Sequence, residues 1–178
     1  MTNEILFAGF GGQGILFSGK VTAYTGLVDE KSVSWLPSYG PEMRGGTANC
    51  HVIISDEPVG SPIIVNPTAL VVMNKPSLDK FENEVVPGGK IFIDSALIDR
   101  KSDRTDIDQY LIPATNIANE MGMPKLANMI ILGKMIKETG VADLETVKKG
   151  LEKSVPPTKQ QLVETNMKAI ELGYNYEG

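Results

Sequence analysis

The chain has 178 residues, of which 42% are apolar and 22% charged, the make-up of an ordinary globular protein long enough to bury a sizeable core in one domain. The 17 basic and 22 acidic residues leave a formal charge of −5 with no basic patch, which argues against a nucleic-acid partner. No apolar run is long enough to cross a bilayer, and the first residues lack the basic start and long apolar stretch of a secretory signal, so a cytoplasmic location is expected.

The first element predicted is a buried strand over residues 3–9, and the next is a helix over 13–28. Between them the chain turns through Gly9-Phe10-Gly11-Gly12-Gln13-Gly14. The spacing Gly9-x-Gly11-x-x-Gly14 has the form of a dinucleotide-binding turn. Glycine tolerates positive φ and close backbone approach. The unpaired N–H groups at the start of the following helix can then face a phosphate or a carboxylate. A nicotinamide site also wants an acidic residue at the end of the second strand. Here Asp29 and Glu30 precede the second apolar run, 32–36, which ends in Pro37-Ser38-Tyr39. That counts against a nicotinamide enzyme. A plain tight turn and an anion or partner contact stay open.

Residues 37–46 are a loop rich in proline and glycine, and 47–55 read as the third strand. Cys50, the only cysteine, is expected to be a small buried side chain there. A lone cysteine excludes an internal disulfide and an iron–sulfur cluster held by this chain alone. His51, the only histidine, has no ligand cluster around it and is expected to pack or to meet solvent. The connection 56–67 carries three prolines and a short β-branched run at 63–65 that reads as an edge strand. A strand is predicted at 69–73, a helix from Asn74-Lys75-Pro76-Ser77 to Glu84, and strands at 90–94 and 109–112 around a charged segment at 99–106.

From Pro113 the pattern is helical. A short helix over 115–121 ends at Gly122, and Pro124 opens one that is apolar nearly all round, which requires cover on more than one side. Gly133 within it predicts a close helix contact. Asp143 is placed to cap a helix running to Lys153, and a last helix over 159–172 carries Leu162, Val163, Asn166, Met167 and Ile170 on one face. This alternation predicts an α/β protein: a three-layer α/β/α sandwich of residues 1–178 as one domain, with a mostly parallel, partly mixed sheet, a Rossmann-like glycine turn and a helical C-terminal part.

The second informative stretch is Leu36-Pro37-Ser38-Tyr39-Gly40-Pro41-Glu42-Met43-Arg44-Gly45-Gly46-Thr47-Ala48-Asn49. It follows the second strand, on the side where open α/β sheets form ligand crevices. Arg44 with Gly45 and Gly46 offers a guanidinium and open backbone N–H groups to an anion. Equally, Glu42 and Arg44 can pair with neighbours and only shape the loop.

These two stretches together resemble the gamma subunit of the 2-oxoacid:ferredoxin oxidoreductases, with the 2-oxoglutarate and branched-chain types nearest in pattern. Val72-Met73-Asn74-Lys75-Pro76-Ser77, Pro113-Ala114-Thr115, Leu126-Ala127-Asn128-Met129 and Lys168-Ala169-Ile170-Glu171-Leu172-Gly173-Tyr174 extend the resemblance over nearly the whole chain. The resemblance implies a complex that oxidatively decarboxylates a 2-oxo acid, joins the acyl group to coenzyme A and passes electrons to ferredoxin. It implies thiamine diphosphate, magnesium and iron–sulfur clusters on alpha, beta and ferredoxin-like delta subunits. It implies no catalytic residue and no metal on this chain, and no activity when the chain is alone. The contact residues it suggests, for coenzyme A or for companion subunits, are Gly11, Gly12, Gln13, Gly14, Tyr39, Glu42, Arg44, Gly45 and Gly46. The alternatives are a nucleotide- or coenzyme A-binding Rossmann-like scaffold and an NAD-dependent dehydrogenase.

Overall fold

A computed structural model describes residues 1–38 and 47–178. Among these residues six strands, β1 (Thr2–Phe10), β2 (Ser32–Pro37), β3 (Thr47–Ser55), β4 (Ala69–Val72), β5 (Lys90–Asp94) and β6 (Asp108–Ile112), form one sheet in the order β2-β3-β1-β4-β5-β6. The pairs β1–β4, β4–β5 and β5–β6 are parallel. β3 is antiparallel to both β1 and β2, so it alone runs against the other five strands. Among the described residues six α-helices accompany the sheet: α1 (Ile15–Val28), α2 (Lys75–Phe81), α3 (Ala114–Glu120), α4 (Ala127–Thr139), α5 (Leu144–Ser154) and α6 (Leu162–Tyr174). The expected α/β layout with a mixed, mostly parallel sheet is what the chain adopts.

Alternation along the strands sends side chains to two unequal faces. On one face Ile5, Phe7, Val52, Val71, Phe92 and Ile112 pack with residues of α1, α3, α4, α5 and α6 into the larger core. On the other, Leu6, Ala8, Leu70, Val72, Ile91 and Ile93 meet Leu78 and Phe81 of α2, with Val85 and Ile98. α4 runs through the larger core, and every residue from Ala127 to Ile136 is buried. That is the cover its all-round apolar sequence demanded.

The contact expected at Gly133 is with α6, and it is reciprocal. A Cβ on Gly133 would lie 1.9 Å from the carbonyl oxygen of Ile170, and one on Gly173 would lie 1.6 Å from that of Ile130. Two helices brought this close need glycine on both sides. Lys134, 8% exposed, fixes the chain end by donating to the Tyr176 carbonyl at 3.0 Å, and it pairs with Glu138 at 2.8 Å.

Most element bounds differ from the expected ones by a residue or two, but three readings change. Residues 63–65 are not a strand. The Ile64 N–H instead donates to Nδ1 of His51 at 2.9 Å, so a side chain takes the place of a strand partner. The helix expected from Pro124 begins with a tight 3₁₀ turn, Pro124–Leu126, before α4. Leu162 is 43% exposed and lies outside the buried face of α6.

The half-buried His51 carries a pH dependence. Burial pushes its pKa below the ordinary imidazole value of 6.5. The unfolded chain therefore binds the proton more readily in the interval between the two values. Stability from this group is complete above the unfolded pKa and is lost as pH falls toward the folded one. Protonation would also turn the Nδ1 acceptor into a donor facing the Ile64 N–H. Urea midpoints should fall between pH 7 and pH 5 in the wild type, with a flatter profile in His51→Gln; parallel profiles would contradict this role.

Candidate functional site

The carboxyl ends of β1, β4, β5 and the amino end of α3 share one edge of the sheet. β1 has antiparallel β3 on one side and parallel β4 on the other, so the connections leaving its neighbourhood diverge there. In open α/β sheets a crevice forms at such a switch point. Gly11, Gly12, Gln13 and Gly14 occupy it, joining β1 to α1. Gly11 and Gly12 are exposed, and Gly12 and Gly14 have φ of 91° and 77°.

The turn is held by its own side chain. Oε1 of Gln13 accepts the Phe10 N–H at 2.6 Å, and its Nε2 donates to the Met73 carbonyl at 2.9 Å. Gln13 thus ties the end of β1 to the end of β4, with both ends of its amide in use. Gly14 caps α1 without any side-chain bond, which leaves the first N–H groups of the helix without a helical acceptor. Those groups carry the positive end of the helix dipole.

Two clefts flank the turn. One is apolar, lined by Phe10, Ile15, Leu16, Phe17 and Ala48. The other is more polar, with Gly12, Gln13, Met73, Thr115, Lys125 and Asn128 along its walls. Beneath the polar cleft lies Asp94, fully buried at the end of β5. Its Oδ2 accepts the Thr115 hydroxyl at 2.6 Å and its Oδ1 accepts the Ala96 N–H at 3.1 Å. Burial nevertheless dominates and raises its pKa above the usual carboxylate value. Asp94 fixes the entry to α3 and so places Thr115. Asn74 likewise caps α2 by accepting the Ser77 N–H at 2.9 Å, directly after Met73.

Of the residues expected to make contacts, Gly11, Gly12, Gln13 and Gly14 fall together at this edge. Tyr39, Glu42, Arg44, Gly45 and Gly46 lie outside the described residues. The flanks of that loop do reach the same edge: Thr47 pairs with Phe10, and the Ser38 N–H donates to the Asn49 carbonyl at 2.9 Å. Thr115, Lys125 and Asn128 were not expected in the site. Thr115 and Asn128 sit in the first turns of α3 and α4 and Lys125 in the 3₁₀ turn before α4, and only the tertiary fold carries them to the glycine turn.

The arrangement is unlike a nicotinamide site. There the second strand lies beside the first and brings its terminal acid to the ribose. Here β3 separates β1 from β2. Cys50 is buried, with the indole N–H of Trp35 donating to its sulfur at 2.8 Å, and burial pushes its thiol up to about 12, so it is an inert packing group. Among the described residues no three His, Cys, Asp or Glu side chains gather as a metal site, and no helix is long and apolar enough to cross a membrane.

Comparison with known proteins gives a consistent result. The model of the pyruvate ferredoxin/flavodoxin oxidoreductase family matches residues 4–176. A 2-oxoglutarate synthase subunit KorC of Methanocaldococcus jannaschii is 36% identical over 98% of this chain and 93% of its own length. A ketoisovalerate oxidoreductase subunit VorA of Methanothermobacter marburgensis is 37% identical over 97% of this chain but only 36% of its own, so this chain spans about a third of that longer protein. The crystal structure of a keto/oxoacid ferredoxin oxidoreductase gamma subunit from Geobacter sulfurreducens superposes with a TM-score of 0.85 at 32% identity, covering 98% of this chain and 95% of the other.

Proposed function

Because the chain belongs to the pyruvate ferredoxin/flavodoxin oxidoreductase family, we propose that it works as the gamma-type subunit of a 2-oxoacid:ferredoxin oxidoreductase. The observation that carries this reading is the end-to-end likeness to a KorC subunit, 98% of one chain against 93% of the other. The assembled enzyme would convert a 2-oxo acid, coenzyme A and oxidised ferredoxin to an acyl-CoA, carbon dioxide and reduced ferredoxin. Thiamine diphosphate, held on a companion subunit, would supply the electron sink for decarboxylation, and iron–sulfur clusters there would supply the electron path. A cluster takes four ligands, usually thiolates, and the single buried cysteine here does not fit that demand. We therefore place these groups, with magnesium, on companion subunits of the alpha, beta and delta kinds, in a cytoplasmic complex without direct contact to nucleic acid or membrane.

This chain's own part is to bind and position. The glycine turn presents open N–H groups and the start of α1, Lys125 adds an exposed cation nearby, and Arg44 is a further candidate by the family resemblance. That set suits the phosphates of coenzyme A, with Gly11 and Gly12 open to close approach. By the family resemblance Gln13, Gly14, Tyr39, Glu42, Gly45 and Gly46 are further candidate contacts, for coenzyme A or for companion subunits. Arg44→Ala in the assembled complex should raise the KM for coenzyme A about tenfold, the effect of losing one charge-assisted bond. An unchanged KM accompanied by lost assembly would show that the loop serves docking instead.

A further inference from the structure

The chain between β3 and β4, residues 56–68, has no strand or helix of its own, yet it is held to the rest of the fold along its length. The Glu57 N–H donates to the Ser55 hydroxyl at 3.0 Å, the Ile64 N–H to Nδ1 of His51 at 2.9 Å and the Thr68 N–H to the Glu4 carbonyl at 2.8 Å. Nδ2 of Asn66 donates to the Glu84 carbonyl at 2.9 Å. These bonds fix which side chains stay outside. Ile64 is tucked in at 5% exposure, and Ile63 and Val65 on either side of it are left 60% and 69% exposed. Pro58 and Pro62 are exposed on the same connection. A single exposed apolar side chain is ordinary, but several on one pinned segment mark an interaction site.

Beside Ile63 lies a cleft of about 260 Å³, walled by Thr2, Glu4, Ile53, Ser55 and Glu57. Small-molecule sites begin at about 300 Å³, so this one suits an inserted side chain better than a cofactor. It sits at the amino end of β1. The glycine turn follows the other end, eight residue steps away, or about 27 Å of strand. The charges around the cleft have one sign. Glu4 and Glu57 stand on its walls and Glu84 adjoins the Asn66 anchor, and none of the three is in an ion pair among the described residues. Lys31 and Lys90, at the same end of the sheet, are committed to Asp56 and Asp108.

The geometry points to a docking surface for a companion subunit of the same enzyme. An apolar side chain of that partner seats against Ile63 and Val65 at the cleft, and Lys or Arg side chains around it meet Glu4 and Glu57. A second copy of this chain does not suit the surface, because a two-fold contact sets the same patch against itself and would bring these carboxylates together. The inference rests on the reading of the chain as one subunit of a larger enzyme.

The test is the dissociation constant between this chain and its separately purified companion subunits, at low and at high salt. Ile63→Gln combined with Val65→Gln should weaken binding about thirtyfold, the effect of losing an anchor at the centre of an interface. Glu4→Gln combined with Glu57→Gln should weaken it about tenfold at low salt and far less at high salt, so that salt costs this variant less affinity than it costs the wild type. The urea midpoint of the isolated Ile63/Val65 variant should match that of the wild type, because both side chains already face solvent. In the assembled enzyme neither pair should alter the KM for coenzyme A, since the glycine turn lies at the other end of β1. If the wild type binds its companions and the Ile63/Val65 variant stays within about threefold of it, or the glutamines leave the salt response unchanged, the inference alone has failed. If the isolated chain forms a dimer that the Ile63/Val65 variant dissolves, the occupant is a second copy and the inference is overturned. If the wild type does not bind its companions at all, the subunit reading has failed and this surface falls with it.

Discussion

Gly173→Ala should destabilise the protein strongly. The added methyl would stand 1.6 Å from the Ile130 carbonyl oxygen, 2.6 Å from its carbon and 3.1 Å from its Cα. All three are backbone atoms of α4, so no side chain can swing away to make room. α4 and α6 would have to separate, opening the core on both sides of α4. Gly133→Ala meets the mirror situation, at 1.9 Å from the Ile170 carbonyl oxygen. In an exposed helix the same change would stabilise by about 1 kcal/mol, so the packing term must reverse the sign of the propensity term. Overpacking against rigid backbone costs about 3 kcal/mol, a large part of the 5–15 kcal/mol that holds a domain together. Gly60→Ala is the control. It has open space around it and no positive φ, and it should shift stability by less than about 0.5 kcal/mol. Urea denaturation of the three variants gives the comparison. Similar midpoints for Gly173→Ala and Gly60→Ala would show that α4 and α6 are not in the close contact described.

Half of this helix crossing was legible in the sequence. Gly133 interrupts an otherwise apolar helical run, where its cost in propensity demands a packing reason. Gly173 stands near the end of the last helix, where glycine looks like an ordinary stop, so its partnership shows only in three dimensions. Strands were readable because each is a short apolar run bounded by turn residues. Their order was not, since nothing local in residues 47–55 says that β3 inserts antiparallel between β1 and β2. The run at 63–65 has the composition of a strand, but the His51 side chain takes its Ile64 N–H in place of a strand partner.

The site divides in the same way. The glycine turn is a local motif, and its spacing alone suggested a strand, a turn and the start of a helix. Its polar wall is not local. Thr115 and Asn128 follow it by more than a hundred residues, and each reads on its own as a helix-start residue. Their short motifs contributed to the family resemblance without disclosing that Asn128 would lie over Gly14 or that Asp94 would anchor Thr115.

The second large effect concerns the enzyme as a whole. The chain has a single, buried thiol, short of the thiolates an iron–sulfur cluster takes, and a cleft beside the glycine turn in which a substrate group can be held. The decisive measurement is ferredoxin reduction dependent on both a 2-oxo acid and coenzyme A, made with this chain alone, with its companion subunits alone, and with the two recombined. The expected result is no turnover from the chain by itself, none that depends on coenzyme A from the companions by themselves, and activity restored on mixing. Turnover by the isolated chain, or full coenzyme A-dependent turnover by companions that lack it, would contradict the account.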